Sequence, residues 1–434
     1  MGYRRHSVID PDDSDMRILF IADARSTISQ SWISYVIQRG HTVHVISSYP
    51  CSPDAIPGAA LYQVPIAFSG LARVGHDGTL EEGGGHSSIA AALASLRIGA
   101  LSGATLTLRS WLGPIDLYRH VERVRDLIAR ISPDIVHAMR IPFEGIVAAK
   151  ATAVEIPLLI SVWGNDFTLF ASRNPLIARQ TRQTMDRTDA LHCDCRRDLQ
   201  LARGSWGFSE QKPAIVLPGA GGVSASFSCS DDESTLDLRK QLNISNSAPV
   251  IFNPRGFRKY VRNDALFRAM PLVLEQQPEA VFVCTGMRAN PVAQRWVRRG
   301  AIEENVRLLP VVPHEQMASL FRLSQIAVSP SQHDGTPNSL LEAMSCGAFP
   351  VAGDIESVRE WIVDGENGLL CDPTSPQSVA KAILRALSDH DLRNKARQIN
   401  LRLVGESAQY DRIMPQAEEF YHQIIHRAQT SVRV

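Results

Sequence analysis

The stretch RILFIADARSTISQSWISYVIQRGHTVHVISSY (residues 17–49) contains two apolar runs separated by a helix-like segment. The runs RILFIADA (17–24) and HTVHVISSY (41–49) have the composition of buried strands, and SWISYVIQRG (31–40) between them has helical spacing. Gly40 stands where the C-terminal cap of a helix favours glycine. A strand, a crossover helix and a second strand make a βαβ unit, so this stretch predicts a parallel sheet.

The same alternation continues along the chain in two series. In the first series we predict strands at 61–66, 134–139, 157–162, 189–193 and 214–217, and a helix at 116–131. In the second we predict strands at 249–254, 280–286, 306–311, 325–331, 348–353 and 368–372, and helices at 264–277, 314–323, 338–346, 354–364 and 375–388. Each series predicts a doubly wound α/β sheet, and such sheets bind ligands beyond the carboxyl ends of their strands.

The chain has 434 residues, more than one compact core holds, so two α/β domains are expected. A segment rich in Ser, Gly and Asp separates the two series and is predicted to be a linker. The predicted division is a disordered lead (1–15), a first Rossmann-like domain (16–225), the linker (226–247), a second Rossmann-like domain (248–400) and a helical tail (401–434).

Composition argues against several classes of function. Lys plus Arg and Asp plus Glu both total 45, so the balanced charge gives no indication of a nucleic-acid partner. The seven cysteines lack the paired spacing of a zinc site, and reduced thiols of a cytoplasmic protein are the expected state. The lead lacks the apolar core of a signal peptide. No apolar run reaches the length of about 18 residues that a membrane span needs. Residues 89–108 come nearest, and contact with a membrane surface stays open there as an alternative to a buried helix.

The segment HDGTPNSLLEAMS (333–345) carries the strongest chemical signal. It places Asp334 after a predicted strand and Glu342 about one turn inside the following helix. Either Asn338 or Ser339 could cap this helix, leaving neighbouring amide groups to point at an anion. A phosphate site between two carboxylates that bind hydroxyls describes a sugar nucleotide. The alternative is an ordinary capped helix with a solvated glutamate.

Residues 333–370 resemble the nucleotide-sugar motif of family 4 glycosyltransferases of the GT-B fold. The resemblance implies two Rossmann-like domains facing across a cleft, the first binding the acceptor and the second the donor, with C-terminal helices packing back on the first domain. It implies that Asp334 contacts hydroxyls of the transferred sugar and that Glu342 binds the ribose. The backbone of Gly335, Thr336, Asn338, Ser339 and Leu340 would cradle the diphosphate. The family usually has glutamate where this chain has Asp334.

The basic segment NPRGFRKYVRND (253–264) follows the first predicted strand of the second domain. A departing diphosphate gains negative charge in the transition state, and a nearby cation stabilises that charge. Arg255 matches the first cation of the family. The second remains open among Arg258, Lys259 and Arg262, and a solvated basic loop is the alternative for each of the three.

The loop SVWGNDF (161–167) after a first-domain strand also resembles the family. The family often has histidine where Trp163 stands, so the role of that histidine does not transfer to this chain. Trp163 would either stack on a sugar ring or pack as an ordinary aromatic side chain. Asp166 is the candidate for holding hydroxyls of the acceptor or donor, and capping of its own loop is the alternative.

These residues and the resemblance predict a glycosyltransferase that moves a hexose-type sugar from a nucleoside diphosphate sugar to a hydroxyl of a glycan or glycolipid. The resemblance implies retention of anomeric configuration, with Arg255, Asp334 and Asp166 as the catalytic group. No metal or other cofactor is expected, since no Asp-x-Asp clamp stands in a loop at a strand end. A nucleotide-sugar epimerase and a non-catalytic sugar-nucleotide-binding protein are the alternatives. The expected location is the cytoplasm, with the inner face of the membrane as an open possibility.

Overall fold

The computed structural model describes residues 15–67, 69, 113, 116–229 and 234–432. Within them the chain forms two parallel sheets, and this confirms the predicted α/β class and the division into two doubly wound units. Most of the lead, and the segment 89–108 for which a membrane contact is an alternative, lie outside the described residues.

The first sheet has seven strands in the order β3-β2-β1-β4-β5-β6-β7. Neighbouring strands are parallel throughout. The strands are β1 (Arg17–Ala22), β2 (Thr42–Ser47), β3 (Ala60–Gln63), β4 (Ile135–Ala138), β5 (Leu158–Val162), β6 (Ala190–Cys193) and β7 (Ala214–Val216). Apolar side chains lie on both faces of the sheet: Leu19 and Ile21 belong to one cluster, and Ile18 and Phe20 to another. Burial on both faces explains why the strands read as continuous apolar runs.

The second sheet has six strands in the order β10-β9-β8-β11-β12-β13, again all parallel. The strands are β8 (Val250–Asn253), β9 (Val281–Cys284), β10 (Val306–Leu308), β11 (Ile326–Ser329), β12 (Phe349–Gly353) and β13 (Leu369–Cys371). The order reverses between β8 and β11, and a doubly wound sheet opens a ligand crevice at such a point.

Helices connect the strands and cover the sheets. Those of the first unit are α1 (Thr27–Gln38), α2 (Tyr118–Ile131), α3 (Ile146–Ala151), α4 (Pro175–Arg187) and α5 (Arg196–Trp206). Those that follow are α6 (Ser234–Gln241), α7 (Asn263–Leu274), α8 (Pro291–Gly300), α9 (His314–Leu323), α10 (Asn338–Ser345), α11 (Glu356–Arg359), α12 (Pro376–Ser388), α13 (His390–Ser407) and α14 (Tyr410–Val432).

Two predicted boundaries differ from the structure. The predicted linker 226–247 contains helix α6, whose neighbour Leu242 packs with the second sheet's apolar cluster. Helix α13 runs unbroken past residue 400, because Val404 is buried in that same cluster. The second unit therefore includes α6 and all of α13.

The last helix, α14, leaves the second unit and packs against the first. Its residues Met414, Phe420 and Tyr421 share an apolar cluster with Phe20 and Trp32. This arrangement confirms the prediction that C-terminal helices return to the first domain.

A buried chain of hydrogen bonds fixes α14 to the first sheet. Trp32 Nε1 donates to the Tyr421 hydroxyl at 2.8 Å, and that hydroxyl lies 2.7 Å from His137 Nδ1. Ser161 Oγ lies 2.7 Å from His137 Nε2 and 2.8 Å from His192 Nδ1. His192 Nε2 donates to the Leu217 carbonyl at 2.9 Å. A carbonyl only accepts and the indole only donates, so every donor in the chain finds an acceptor when both histidines are neutral.

Candidate donor site at the second sheet

The predicted phosphate-binding turn lies between β11 and α10, at the carboxyl end of the second sheet. Helix α10 begins at Asn338, with Pro337 at its N-cap and no side-chain capping bond. The prediction that Asn338 or Ser339 caps this helix is therefore wrong, since a proline precedes the first turn and Asn338 is already helical. Asn338 Oδ1 is buried, and no other described residue bonds it. The helix start keeps the free amide groups that an anion needs.

The free amides belong to the first residues of α10. The first amide of this turn with a backbone acceptor is that of Leu340, which donates to the Pro337 carbonyl at 2.9 Å. The N–H groups of Asn338 and Ser339 donate to no acceptor in the described part of the chain. Two adjacent amides with unused donors, at the positive end of a helix, form a site for phosphate oxygens.

Arg255 and Asp334 are bound to each other beside this turn. Arg255 Nη1 lies 2.7 Å from Asp334 Oδ2, and the two side chains are only 15% and 12% exposed. The pairing follows from topology: Arg255 comes just after β8 and Asp334 after β11, and these strands are neighbours in the sheet. The structure thus brings together the predicted cation and the predicted acid.

The three candidates for the second cation differ in their partners. Arg262 Nε lies 2.9 Å from Asp264 Oδ1, so its guanidinium is directed toward a carboxylate outside the α10 turn. Arg258 is exposed and donates to the Tyr260 hydroxyl at 3.0 Å. Lys259 is exposed, and its ammonium group bonds no residue in the described ranges. These contacts favour Lys259 or Arg258 and argue against Arg262.

Glu342 lies on the other side of the turn, one helical turn into α10. Its Oε1 is 3.4 Å from Nε2 of His314, the first residue of α9, and its side chain is 15% exposed. The hydrogen bond to Glu342 raises the pKa of His314. Along the chain Asp334 precedes the free amides and Glu342 follows them.

Asp166 does not face the cleft, and its predicted role is corrected. Its side chain has no exposed surface and lies 3.1 Å from Arg140 Nη2. Its Oδ2 accepts hydrogen bonds from the backbone N–H groups of Ile141 and Trp163, at 3.3 and 3.2 Å. Burial raises the pKa of Asp166, and Arg140 opposes that shift. With its oxygens occupied, the carboxylate ties the loop after β5 to the turn after β4 and cannot contact a substrate directly.

The loop around Trp163 meets the turn between β11 and α10 (residues 330–337, the donor turn) through two glycines. A Cβ atom at Gly164 would lie 1.7 Å from the backbone nitrogen of Gly335, and a Cβ atom at Gly335 would lie 2.2 Å from Asp194 Oδ2. Trp163 itself is half-buried, and no described residue accepts a hydrogen bond from its buried Nε1. The two domains touch at this point because neither glycine carries a side chain.

Sequence reasoning missed Asp194, a buried acid just after β6. Its Oδ2 accepts from the Gly164 N–H at 3.2 Å, while Oδ1 is buried and finds no partner among the described residues. Burial, followed by the charge of Asp198, raises the pKa of Asp194 well above its usual range. Its position at the end of a predicted strand is the one local signal that could have indicated this carboxyl.

Among the residues that the structure describes, two groups of side chains have ligand atoms close enough together to hold a metal ion. They are His41 with Glu418 and His422, and Asp194 with Cys195 and Asp198. Arginines already contact both groups: Arg39 Nε lies 2.9 Å from Glu418, and Arg197 Nη2 lies 2.7 Å from Asp198. Such positive charges oppose a bound cation. Neither group includes the residues that flank the α10 turn.

Two family models match the chain and together span both sheets. The model described as "Glycosyl transferase 4-like domain" matches residues 26–219, and the one described as "Glycosyl transferases group 1" matches residues 234–403. The second match contains Arg255, Asp334 and Glu342.

The curated relatives of the chain are named as glycosyltransferases, in agreement with the family models. The D-inositol 3-phosphate glycosyltransferase of Corynebacterium urealyticum is 26% identical over 220 residues, which cover 49% of this chain and 51% of that protein. The O-antigen chain mannosyltransferase B of Escherichia coli is 32% identical over 142 residues, 32% of this chain and 36% of that protein. The chain thus spans about half the length, or less, of these curated relatives.

Solved structures share the two-domain fold. The sucrose-phosphate synthase of Thermosynechococcus elongatus aligns with a TM-score of 0.70 and 16% identity, over 95% of this chain and 100% of that chain. Anabaena HepE in complex with UDP-glucose aligns with a TM-score of 0.67 and 14% identity, over 94% and 100%. At these identities the likeness concerns the fold alone. Among the described helices, none is both long and apolar enough to cross a membrane.

Proposed function

The chain belongs to the family 4 glycosyltransferases, and from this membership we propose that it transfers a hexose-type sugar from a nucleoside diphosphate sugar to a hydroxyl acceptor. One observation carries the proposal. The unused amides of Asn338 and Ser339 lie, along the chain, between Asp334, which pairs with Arg255, and Glu342 in the first turns of α10. Phosphate oxygens fit the amides, and hydroxyls of a sugar and a ribose fit the two carboxylates.

In the proposed reaction the bond between the sugar and the diphosphate breaks, and the diphosphate gains negative charge. The amides at the start of α10, the guanidinium of Arg255 and one further cation would stabilise that charge. Lys259 and Arg258 are the candidates for that cation. Arg255 is well placed because Asp334 already fixes its direction.

We propose that the transfer retains anomeric configuration by attack on the front face of the sugar. A double displacement needs a carboxylate free to act as a nucleophile. Asp334 is paired with Arg255, Asp166 is buried, and Asp194 is also buried. In a front-face reaction the acceptor proton passes to the oxygen of the departing phosphate, so no protein nucleophile is required.

The relatives suggest the kinds of substrate to test. One relative is named for transfer to D-inositol 3-phosphate, one for mannosyl transfer, and HepE was solved with UDP-glucose. We propose a hexose on a nucleoside diphosphate as the donor, and a glycan or glycolipid as the acceptor. The proposed reaction uses no metal, because protein amides and cations take the diphosphate charge. All seven cysteines are free thiols, which supports the cytoplasm as the place of action, and a glycolipid acceptor would bring the protein to the membrane surface.

A single set of measurements tests the proposal. Thermal unfolding with a panel of UDP-, GDP- and ADP-sugars identifies the donor, because a ligand that binds the folded state raises the midpoint. The chosen donor is then incubated with and without acceptors, in the presence of a metal chelator. Release of the nucleoside diphosphate together with a glycosylated product supports transfer. An isomerised sugar without release would indicate the epimerase, and binding without turnover would indicate a non-catalytic binding protein. The named relatives above are transferases, which favours the first outcome.

A further inference from the structure

Arg197, near the start of α5, reaches from the first domain into the donor turn of the second. Its Nη1 donates to the Asp334 carbonyl at 2.7 Å and to Ser357 Oγ at 3.1 Å. Its Nη2 donates to the Gly164 carbonyl at 2.8 Å and to Asp198 Oδ1 at 2.7 Å. The side chain is 9% exposed. One guanidinium thus joins both domains at the residue that the proposed function assigns to the sugar.

The donor turn is held from the first domain at successive residues. The Asp334 carbonyl accepts the hydrogen bond from Arg197, and a second one, within its own domain, from Ser357 Oγ at 2.8 Å. Gly335 packs directly on the carboxylate of Asp194. The Thr336 hydroxyl donates to the Asp194 carbonyl. The conformation of this turn therefore depends on residues that lie beyond its own domain.

We propose that Arg197 is a positioning residue that orders the donor turn, which contains Asp334, only when the two domains are in contact. The inference rests on the proposed function, since it assumes that Asp334 faces the transferred sugar. When the cleft opens, the turn loses its bonds to Arg197 and Asp194 together. Sugar transfer then depends on domain closure, and a donor bound to the open form is not yet oriented for reaction.

The chemistry of arginine suits this role. The planar guanidinium has five N–H donors in fixed directions, whereas the lysine ammonium is a compact point charge. Arg197 uses its donors on the Asp334 and Gly164 carbonyls while Asp198 balances its charge. A lysine would keep the charge beside Asp198 but could not span both carbonyls.

A separate contact attaches α5 to the second domain. The carboxylate of Glu360 accepts the backbone N–H groups of Arg196 and Arg197, at 2.8 and 2.9 Å. The hydrogen bonds to Glu360 use only backbone atoms of α5, and Glu360 does not contact the donor turn through them. Attachment of the helix and ordering of the turn can therefore be separated by mutation.

Arg197→Lys and the matched control Arg196→Ala test the inference. Arg196 is an exposed neighbour whose side chain bonds no described residue. Hydrogen exchange of the peptide over 334–341 is measured first, since this readout does not depend on activity. We expect at least fivefold faster exchange there in Arg197→Lys, with unchanged exchange in the central strands and no effect of Arg196→Ala. Unchanged exchange in a folded Arg197→Lys protein would overturn the inference.

Kinetics with the donor found by the panel give the second readout. We expect kcat of Arg197→Lys to fall at least tenfold, while Kd for the nucleoside diphosphate changes less than threefold. Arg197 bonds the carbonyl of Asp334, the proposed sugar residue, whereas Glu342, Arg255 and the amides of Asn338 and Ser339 have no direct bond to Arg197. A purely structural role predicts a lower unfolding midpoint with kcat unchanged in the folded protein, which contradicts the inference.

Two further results keep the test decisive. If Arg197→Lys does not fold, Thr336→Val removes the other side-chain hydrogen bond between the turn and the first domain, which runs from the Thr336 hydroxyl to the Asp194 carbonyl, and we expect it to speed exchange of the same peptide. Unchanged exchange there would count against ordering of the turn by the first domain. If the wild-type protein uses no nucleotide sugar, the proposed function fails, whereas the exchange data still show whether Arg197 orders the turn.

Discussion

Arg255 and Asp334 form an ion pair of 2.7 Å in which each side chain is largely buried. The acid proposed for the sugar and the cation proposed for the diphosphate therefore hold each other in place. Burying a charge costs free energy unless it stays paired with an opposite charge. Removal of either residue would therefore leave the other as a buried, unpaired charge. The pair is built into the site before any substrate binds.

We expect Arg255→Ala to lower kcat/KM for the donor by 10-fold or more, because a charge-assisted hydrogen bond contributes roughly 1.5–3 kcal/mol. Steady-state release of nucleoside diphosphate measures the effect. Arg268→Ala is the matched control, since Arg268 pairs with Asp264 at an exposed position. Equal activity of the two variants would remove Arg255 from the site.

Glu342→Ala should weaken binding of the nucleoside diphosphate at least tenfold, because the proposed ribose contact is lost. Isothermal calorimetry measures Kd, and Glu315→Ala serves as the control because Glu315 is exposed on α9. The same variant removes the hydrogen bond that raises the pKa of His314. Titration of His314 by NMR should therefore show a lower pKa in Glu342→Ala, and a loss of affinity without that shift would indicate a different cause.

Gly164→Ala should keep the domains apart. Its methyl group would lie within 1.7 Å of the Gly335 nitrogen, whereas a methyl group at Gly204 in α5 meets nothing within 4 Å. We expect a larger radius of gyration by small-angle scattering and a kcat at least tenfold lower for Gly164→Ala. Gly204→Ala should keep wild-type activity and gain roughly 0.5–1 kcal/mol of stability from the better helix former. A compact, fully active Gly164→Ala protein would contradict the observed contact.

The stability of the first domain should fall in mild acid. Burial lowers the pKa of His192 to about 4, and burial with the nearby charge of His192 lowers the pKa of His137 well below 6.5. Because these pKa values are depressed on folding, the stability is fully present above pH 6.5 and is lost as the pH falls toward 4. For His192 alone the loss reaches about 3 kcal/mol.

Urea unfolding followed by circular dichroism at several pH values between 7 and 4.5 measures this loss. His426→Gln is the control, since His426 is an exposed residue on α14 and should leave the pH dependence unchanged. The raised pKa values of Asp166 and Asp194 act in the opposite direction, so the contribution of the histidine is the difference between the wild-type protein and His192→Gln. An identical pH dependence in both proteins would mean that the buried chain through Ser161 accepts a proton without cost.

The sequence predicted the strands well for a physical reason. Parallel strands buried on both faces are apolar throughout, so β1 and β11 stand out without knowledge of their neighbours. Helices between most of these strands were expected, but α4 and α5 were given no bounds because their sequences are largely polar outside a few buried positions. Because tertiary packing stabilises such helices, the local sequence pattern indicates them only weakly.

The site residues likewise divide into those that a local motif indicates and those that depend on contacts distant in sequence. Asp334, Glu342 and Arg255 could be proposed from the sequence because they belong to short contiguous motifs, and the structure pairs Asp334 with Arg255. Asp166 was misread because an acid in a loop looks the same whether it faces solvent or caps buried backbone N–H groups. Arg197 could not be found, because its partner Asp334 is separated from it by 137 positions and lies in the other domain. Contacts between domains leave no periodic trace in a sequence.

The return of α14 to the first domain has a consequence for synthesis on the ribosome. The surface around Phe20 and Trp32 is completed by Tyr421, which is translated after the whole second sheet. During most of translation the emerging first domain therefore carries an uncovered apolar face, and surfaces of that kind bind chaperones and aggregate. The first domain is synthesised first, but its core is completed last. A messenger RNA that ends before the codon for Tyr410 would therefore yield both sheets and a first domain without the cover of α14.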